Sequence, residues 1–194
     1  MLKKAAFLDR DGVINADRGY VHHPADFVFI DGAFAACRHL QRGGYLLVIV
    51  TNQSGIARGL YSETDFQNLT AWMRKRFQEE GVDITAVYHC PHHPEHGAVA
   101  AGGCPCRKPA PGMLTRAITE LDIAPEASLM IGDKESDMQA AAAAGIKRKI
   151  LVRASRQINP QAERLADEVW DSIKETMTAV TIAPADNNYH HGNR

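Results

Sequence analysis

Five short apolar runs, at 5–8, 45–50, 85–89, 128–131 and 149–152, recur along the chain and alternate with stretches of helical periodicity. No other feature restricts the fold as much. Apolar residues at 33, 34, 36, 37 and 40 share one helical face, which the pair Gly43-Gly44 brings to an end. Ser62, with Asp65 three residues on, reads as a capping box ahead of an inner stripe of Phe66, Leu69, Met73 and Phe77. Pro111 opens a third helix with Met113, Leu114, Ala117, Ile118 and Leu121 on one side, and the alanine run 140–144 stops at Gly145. Short, nearly continuous apolar strands alternating with helices predict an α/β fold with a central parallel sheet covered on both faces.

In such sheets ligands sit beyond the carboxyl ends of the strands. The polar clusters of this chain fall there: Asp9 after the first run, Thr51-Asn52 after the second, Cys90 after the third and Gly132-Asp133 after the fourth. Asp9 and Asp11, spaced by one residue at a strand end with Gly12 behind them, are expected to converge on one small volume. Two like charges held that close call for a cation or a shared proton. Thr51, Asn52, Gln53 and Ser54 offer hydroxyl, amide and backbone groups to phosphate oxygens. Lys108, stiffened by Pro109, can place a point charge on a phosphoryl oxygen, and Arg107 offers a planar fork to a second oxyanion. Asp133 ends an apolar strand with Asp137 one helical turn on; either completes a magnesium site begun by Asp9, with the other behind it.

Cys90 and His92, then after a short spacer Cys104 and Cys106, supply four N and S ligands suited to a closed tetrahedral Zn²⁺ site. His89, His93 and His96 are rival imidazoles for the same role. The loop 90–106 is Gly-, Ala- and Pro-rich and leads straight into Arg107 and Lys108, so a structural ion would hold those two cations in place. Cys37, alone in a helical pattern, reads as a small buried apolar residue.

With 194 residues, 45% of them hydrophobic and 23% charged, the chain is expected to form a single domain over 1–180, followed by a disordered polar tail over 181–194. A net charge of −1 favours neither nucleic acid nor an anionic membrane, and no apolar run approaches the roughly 20 residues that span a bilayer. A cytoplasmic monomer acting on a small molecule is the expectation.

The order Asp-x-Asp, Thr, Lys, Asp, each at a strand end or in the following loop, resembles the haloacid dehalogenase (HAD) superfamily of phosphohydrolases from end to end. Within it, Leu-Asp-Arg-Asp-Gly at 8–12, Thr-Asn-Gln-Ser-Gly-Ile-Ala-Arg-Gly at 51–59, Cys-Pro-His-His-Pro at 90–94, Cys-Arg-Lys-Pro at 106–109 and Gly-Asp-Lys at 132–134 resemble the D-glycero-D-manno-heptose 1,7-bisphosphate 7-phosphatases. The histidinol-phosphate phosphatases share most of these motifs. Val13 stands where many superfamily members carry Thr.

The resemblance implies a Rossmann-like core without a separate cap domain. It implies catalysis by Asp9, Asp11, Thr51 and Lys108, with Mg²⁺ held by Asp9, the backbone carbonyl of Asp11, and Asp133. It selects His92 among the imidazoles for Zn²⁺. Asp17, Arg18, Gly19, Tyr20, the residues 51–54, Arg107, Lys108 and Lys134 are implied to contact a phosphorylated sugar, Arg107 on the phosphate that is retained. The setting implied is ADP-heptose synthesis for lipopolysaccharide core. The competing readings are a histidinol-phosphate or other small phosphomonoester phosphatase, and a non-catalytic zinc-stabilised binding module.

Overall fold

Six parallel strands form one sheet: β1 (Ala5–Leu8), β2 (Leu46–Asn52), β3 (Ala86–Cys90), β4 (Leu129–Gly132), β5 (Arg148–Val152) and β6 (Glu168–Trp170), in the order β3-β2-β1-β4-β5-β6. The computed structural model describes residues 2–97, 103–154 and 159–182. Between the strands run α1 (Ala33–Arg42), α2 (Glu63–Glu79), α3 (Gly112–Glu120), α4 (Glu135–Ala143) and α5 (Pro160–Leu165), and α6 (Thr176–Ala179) follows the last strand. The strand order reverses between β1 and β4, and a crevice at such a switch point is where ligands bind in open parallel sheets.

The alternation within each strand builds two cores. Ala6, Leu8, Leu47 and Ile49 point to one face, against Ala33, Cys37 and Leu40 of α1 and Leu69, Met73 and Phe77 of α2. Ala5, Phe7, Val48 and Val50 point to the other, against Met113, Leu114 and Ala117 of α3 and Met138, Ala140 and Ala141 of α4. Both faces are covered, which is why the strands read as continuous apolar runs rather than as alternating ones. Cys37 is fully buried, as expected.

The helix signals hold at the level of single bonds. Ser62 and Asp65 form the capping box of α2, and Gly145 takes a left-handed φ of 78° just past α4. Strand ends run further than hydrophobicity indicates. β2 continues through Thr51 and Asn52 because the ladder persists, Thr51 opposite His89 and Asn52 opposite Cys90. Cys90 is therefore the last residue of β3 rather than the first of the loop.

β6 and α5 escape the pattern altogether. A three-residue edge strand, Glu-Val-Trp, carries no period to detect, and a six-residue helix is too short to show a stripe. Among the described residues no helix is long and apolar enough to cross a membrane. Residues 183–194, most of the expected tail, lie outside the described residues, as do 98–102 of the loop.

Candidate active site

β1 delivers Asp9 to the switch point, where its backbone N–H donates to the carbonyl of Ile131 on β4 (3.0 Å). Lys108 arrives from the loop before α3 with its stem and ammonium buried. Its Nζ donates to Asp9 Oδ1 (2.9 Å) and to the Val50 carbonyl (2.8 Å), and pairs with Asp137 Oδ1 (2.6 Å). Asn52 fixes the backbone of Lys108 by a reciprocal pair: its Nδ2 donates to the Lys108 carbonyl (3.0 Å), and its Oδ1 accepts from the Lys108 N–H (3.1 Å). Asp137 Oδ2 caps α4, accepting from the backbone N–H groups of Asp133 (3.2 Å) and Lys134 (3.0 Å).

Carboxylate oxygens of Asp9, Asp133 and Asp137 lie within 4.8 Å of one another. One buried ammonium does not balance three buried carboxylates. Burial raises the Asp9 pKa, and the Lys108 charge only partly offsets it. Burial and the neighbouring Asp9 push Asp133 up to about 8. Burial pulls the Lys108 pKa down, but Asp137 and Asp9 outweigh it, and the ammonium stays charged.

Asp133 Oδ1 is buried and accepts no hydrogen bond. A Cβ on Gly12 would meet Asp133 Oδ2 at 2.4 Å, so only glycine, here at φ 99°, leaves that carboxylate room. An acidic pair with an orphaned oxygen suits a hard divalent cation such as Mg²⁺. Between the two candidates, Asp137 is committed to Lys108 and the helix cap, which leaves Asp133 for the cation.

The expectation that Asp9 and Asp11 converge is met only in part. Both line a cavity of about 80 Å³ with Thr51, Asn52, Lys108, Lys134, Ser136 and Asp137. The Asp11 carboxylate, however, faces Arg10, Asn15 and Gln53 rather than the three clustered carboxylates, so any part it plays in holding a cation falls to its backbone carbonyl.

Gln53 Nε2 also donates to Thr51 Oγ1 (2.8 Å). Ser54 opens the turn that follows β2, its carbonyl accepting from the Arg58 N–H (3.1 Å). Lys134 Nζ reaches Asp17 Oδ2 (3.2 Å) and so ties the segment after Asn15 to the cavity rim. Gly19 donates to Asp17 Oδ1, while Arg18 and Tyr20 are exposed, Tyr20 facing the Arg58 guanidinium.

The second cluster forms at the end of β3. His92 Nδ1 lies 2.9 Å from Cys104 Sγ and 3.4 Å from Cys106 Sγ, and Cys90 Sγ lies 3.6 Å from Cys104 Sγ. The rival imidazoles are engaged elsewhere: His89 pairs with Glu63 and stacks on Phe66, and His93 and His96 face Arg58. Burial pushes the Cys104 thiol up, but hydrogen bonds from Cys106, Cys90 and backbone N–H groups outweigh it, to about 6. Three thiols and an imidazole converging with a thiolate among them fit Zn²⁺. Arg107 donates to the His92 carbonyl (3.2 Å), which fastens it to this cluster.

Arg10 and Asn15, which bond Asp11, and Tyr61, which bonds Gln53, are neighbours of the site that the sequence reading did not single out. Asn15, four residues after Asp11, carries a usable signal; nothing local marks Arg10 as buried or Tyr61 as a neighbour of Gln53.

A buried carboxylate beside a buried ammonium, with a second acid left for a cation, suits transfer of a phosphoryl group to an aspartate. The class defined by this fold and site is the haloacid dehalogenase-like hydrolases, and the HAD-hydrolase-like family model matches residues 105–176. The D-glycero-beta-D-manno-heptose-1,7-bisphosphate 7-phosphatase of Vibrio cholerae serotype O1 is 55% identical over 176 residues, covering 90% of this chain and 95% of its own. That of Escherichia coli K12 is 50% identical over 178 residues, covering 91% and 93%. The crystal structure of D,D-heptose 1,7-bisphosphate phosphatase from B. bronchiseptica, complexed with magnesium and phosphate, has a TM-score of 0.76 at 29% identity, covering 90% of this chain and 96% of that one. The chain belongs to the heptose-bisphosphate 7-phosphatase family of HAD hydrolases.

Proposed function

We propose that the chain removes the C7 phosphate of D-glycero-β-D-manno-heptose 1,7-bisphosphate and leaves heptose 1-phosphate, in a cytoplasmic route to ADP-heptose for lipopolysaccharide core. The observation that carries the chemistry is the buried Asp9–Lys108 pair beside the orphaned Asp133 oxygen. The relatives' names supply the substrate.

Asp9 attacks phosphorus: an Asp9 oxygen–phosphorus bond forms, the bond from phosphorus to the sugar oxygen breaks, and Asp11 gives that oxygen a proton. In the second half-reaction a water oxygen bonds to phosphorus, the Asp9 ester breaks, and Asp11 takes the proton from the water. Thr51 and Lys108 hold the non-bridging oxygens while charge redistributes. Asp9, Asp133 and the Asp11 carbonyl would hold Mg²⁺, which offsets repulsion between a carboxylate nucleophile and a phosphate dianion. Asp17, Arg18, Gly19, Tyr20, Asn52, Gln53, Ser54 and Lys134 contact the substrate. Arg107 takes the retained phosphate, held at its station by the zinc loop. One domain over 1–180, acting as a monomer, suffices for this chemistry.

Phosphate release with Mg²⁺ present, measured side by side on heptose 1,7-bisphosphate and histidinol phosphate at low concentration, tests the substrate. A strong preference for the heptose, with one phosphate freed per molecule, is expected. Preference for histidinol phosphate keeps the mechanism and overturns the substrate. No release from either overturns the enzyme reading.

Cys90, His92, Cys104 and Cys106 are proposed to hold a structural Zn²⁺, since four protein ligands leave no open position. Elemental analysis of Cys106→Ser should then show zinc falling from one ion per chain to a small fraction, with activity impaired through Arg107 and Lys108. Normal zinc content in the variant refutes this ligand set.

A further inference from the structure

We infer that Arg10 is a positioning residue that sets the direction in which Asp11 moves its proton, an assignment that rests on the phosphatase reading above. Arg10 does not line the cavity. It is 1% exposed, and its guanidinium grips Asp11 with two prongs: Nε donates to Oδ2 (3.2 Å) and Nη2 to Oδ1 (3.1 Å). Nη2 also donates to the Val21 carbonyl (2.8 Å), and the cation lies about 6 Å from both the Phe27 and the Phe66 rings (5.9 and 6.0 Å).

Stability alone is a weak account of this residue. Its Nη1 is buried with no partner, and a buried ion pair taken as a whole is often worth no more than well-packed apolar residues of similar volume. Orientation does account for it. A planar fork on a carboxylate fixes the plane of that carboxylate, which a lysine in the same place does not.

Two further donors complete the grip. Asn15 Nδ2 bonds Asp11 Oδ1 (2.9 Å) and Gln53 Nε2 bonds Oδ2 (3.1 Å), while Gln53 is itself held by the Tyr61 hydroxyl. Four donated bonds on two oxygens hold the ionised carboxylate against rotation about its last torsion; when Asp11 carries its proton one amide bond gives way, and the Arg10 fork still keeps the plane. The Val21 bond adds a link to the segment that carries Asp17 and Tyr20. A substrate seated under that segment thus meets Asp11 in a single orientation, as proton transfer over a short distance requires.

The test compares leaving groups. The sugar oxygen needs a proton to depart, whereas the weakly basic 4-nitrophenolate does not, and kcat/KM reports only the steps through phosphoryl transfer. Arg10→Met should lower kcat/KM for heptose 1,7-bisphosphate about 10²-fold and for 4-nitrophenyl phosphate less than about threefold, the scale of a lost general acid. Asp11→Asn should show the same split, and adding Arg10→Met to it should remove nothing more. Arg10→Lys, which keeps the charge without the fork, should split the two substrates likewise and decides the matter if the methionine variant does not fold. Equal losses on both substrates, or failure of both variants to fold, make Arg10 a residue of the core and overturn the proposal. A wild-type chain inert toward both substrates overturns the phosphatase reading instead.

Discussion

Asp9→Asn is expected to abolish phosphate release, with kcat falling by at least about 10⁴-fold, and to leave the protein folded. The change removes one charge and almost no volume. An amide in place of the nucleophilic carboxylate cannot form the aspartyl-phosphate, so no partial route through the same chemistry remains. Stability points the other way. Asp9 lies with Asp133 and Asp137 in a buried space that holds one fully buried ammonium, and burial already raises the pKa values of Asp9 and Asp133. Neutralising one of three crowded carboxylates relieves repulsion, while Lys108 keeps Asp137 and the Val50 carbonyl. The melting temperature of the metal-free variant should therefore not fall below that of the wild type. Catalysis and stability are separated at this residue. Retained turnover in Asp9→Asn would sink its assignment as nucleophile; a large drop in melting temperature would sink the charge argument.

The same crowding explains what was legible in the sequence and what was not. The strands that carry Asp9, Thr51 and Asp133 are buried on both faces, so they stand out as unbroken apolar runs, and the polar residue that ends each run marks the active edge. The choice between Asp133 and Asp137 was not legible, because both follow β4 at helical spacing. Only the fold shows that Lys108, distant in sequence, claims Asp137. His92 was separable from its three rivals by resemblance but not by spacing; Glu63, Phe66 and Arg58, all far along the chain, engage the others. Arg10 stood in plain view between two aspartates and still gave no sign of its role. A charged residue at a strand end reads as solvated, and its burial depends on Phe27 and Phe66 packing over it from elsewhere. Contacts close in sequence leave a pattern; contacts made by tertiary packing do not.

Lys108→Met is the companion experiment, and its expected effects run opposite to those of Asp9→Asn in stability. Removing the ammonium leaves Asp9, Asp133 and Asp137 without a buried counter-charge, a loss of about 3–5 kcal/mol near neutral pH by the usual cost of stripping one partner from a buried pair. For a chain of this size that lowers the melting temperature by about 10 °C. The pH dependence follows from the direction of the shifts. A carboxylate whose folded pKa lies above its unfolded one binds more protons when folded, so it favours the folded state at low pH and that advantage is lost as pH rises toward the folded value. Asp133 is already raised to about 8 with Lys108 present, and losing the ammonium raises the group further. The destabilisation of Lys108→Met should thus grow as pH rises through about 8, where Asp133 ionises in the wild-type fold but stays protonated in the variant, and should change little with pH below that. Mg²⁺ should restore part of the loss by supplying the missing positive charge, while activity stays absent because no ammonium holds the phosphoryl oxygens. A pH series of thermal melts, with and without Mg²⁺, checks each of these. A deficit independent of both pH and Mg²⁺ would show that Lys108 stabilises the fold by packing its stem rather than by balancing the acidic cluster.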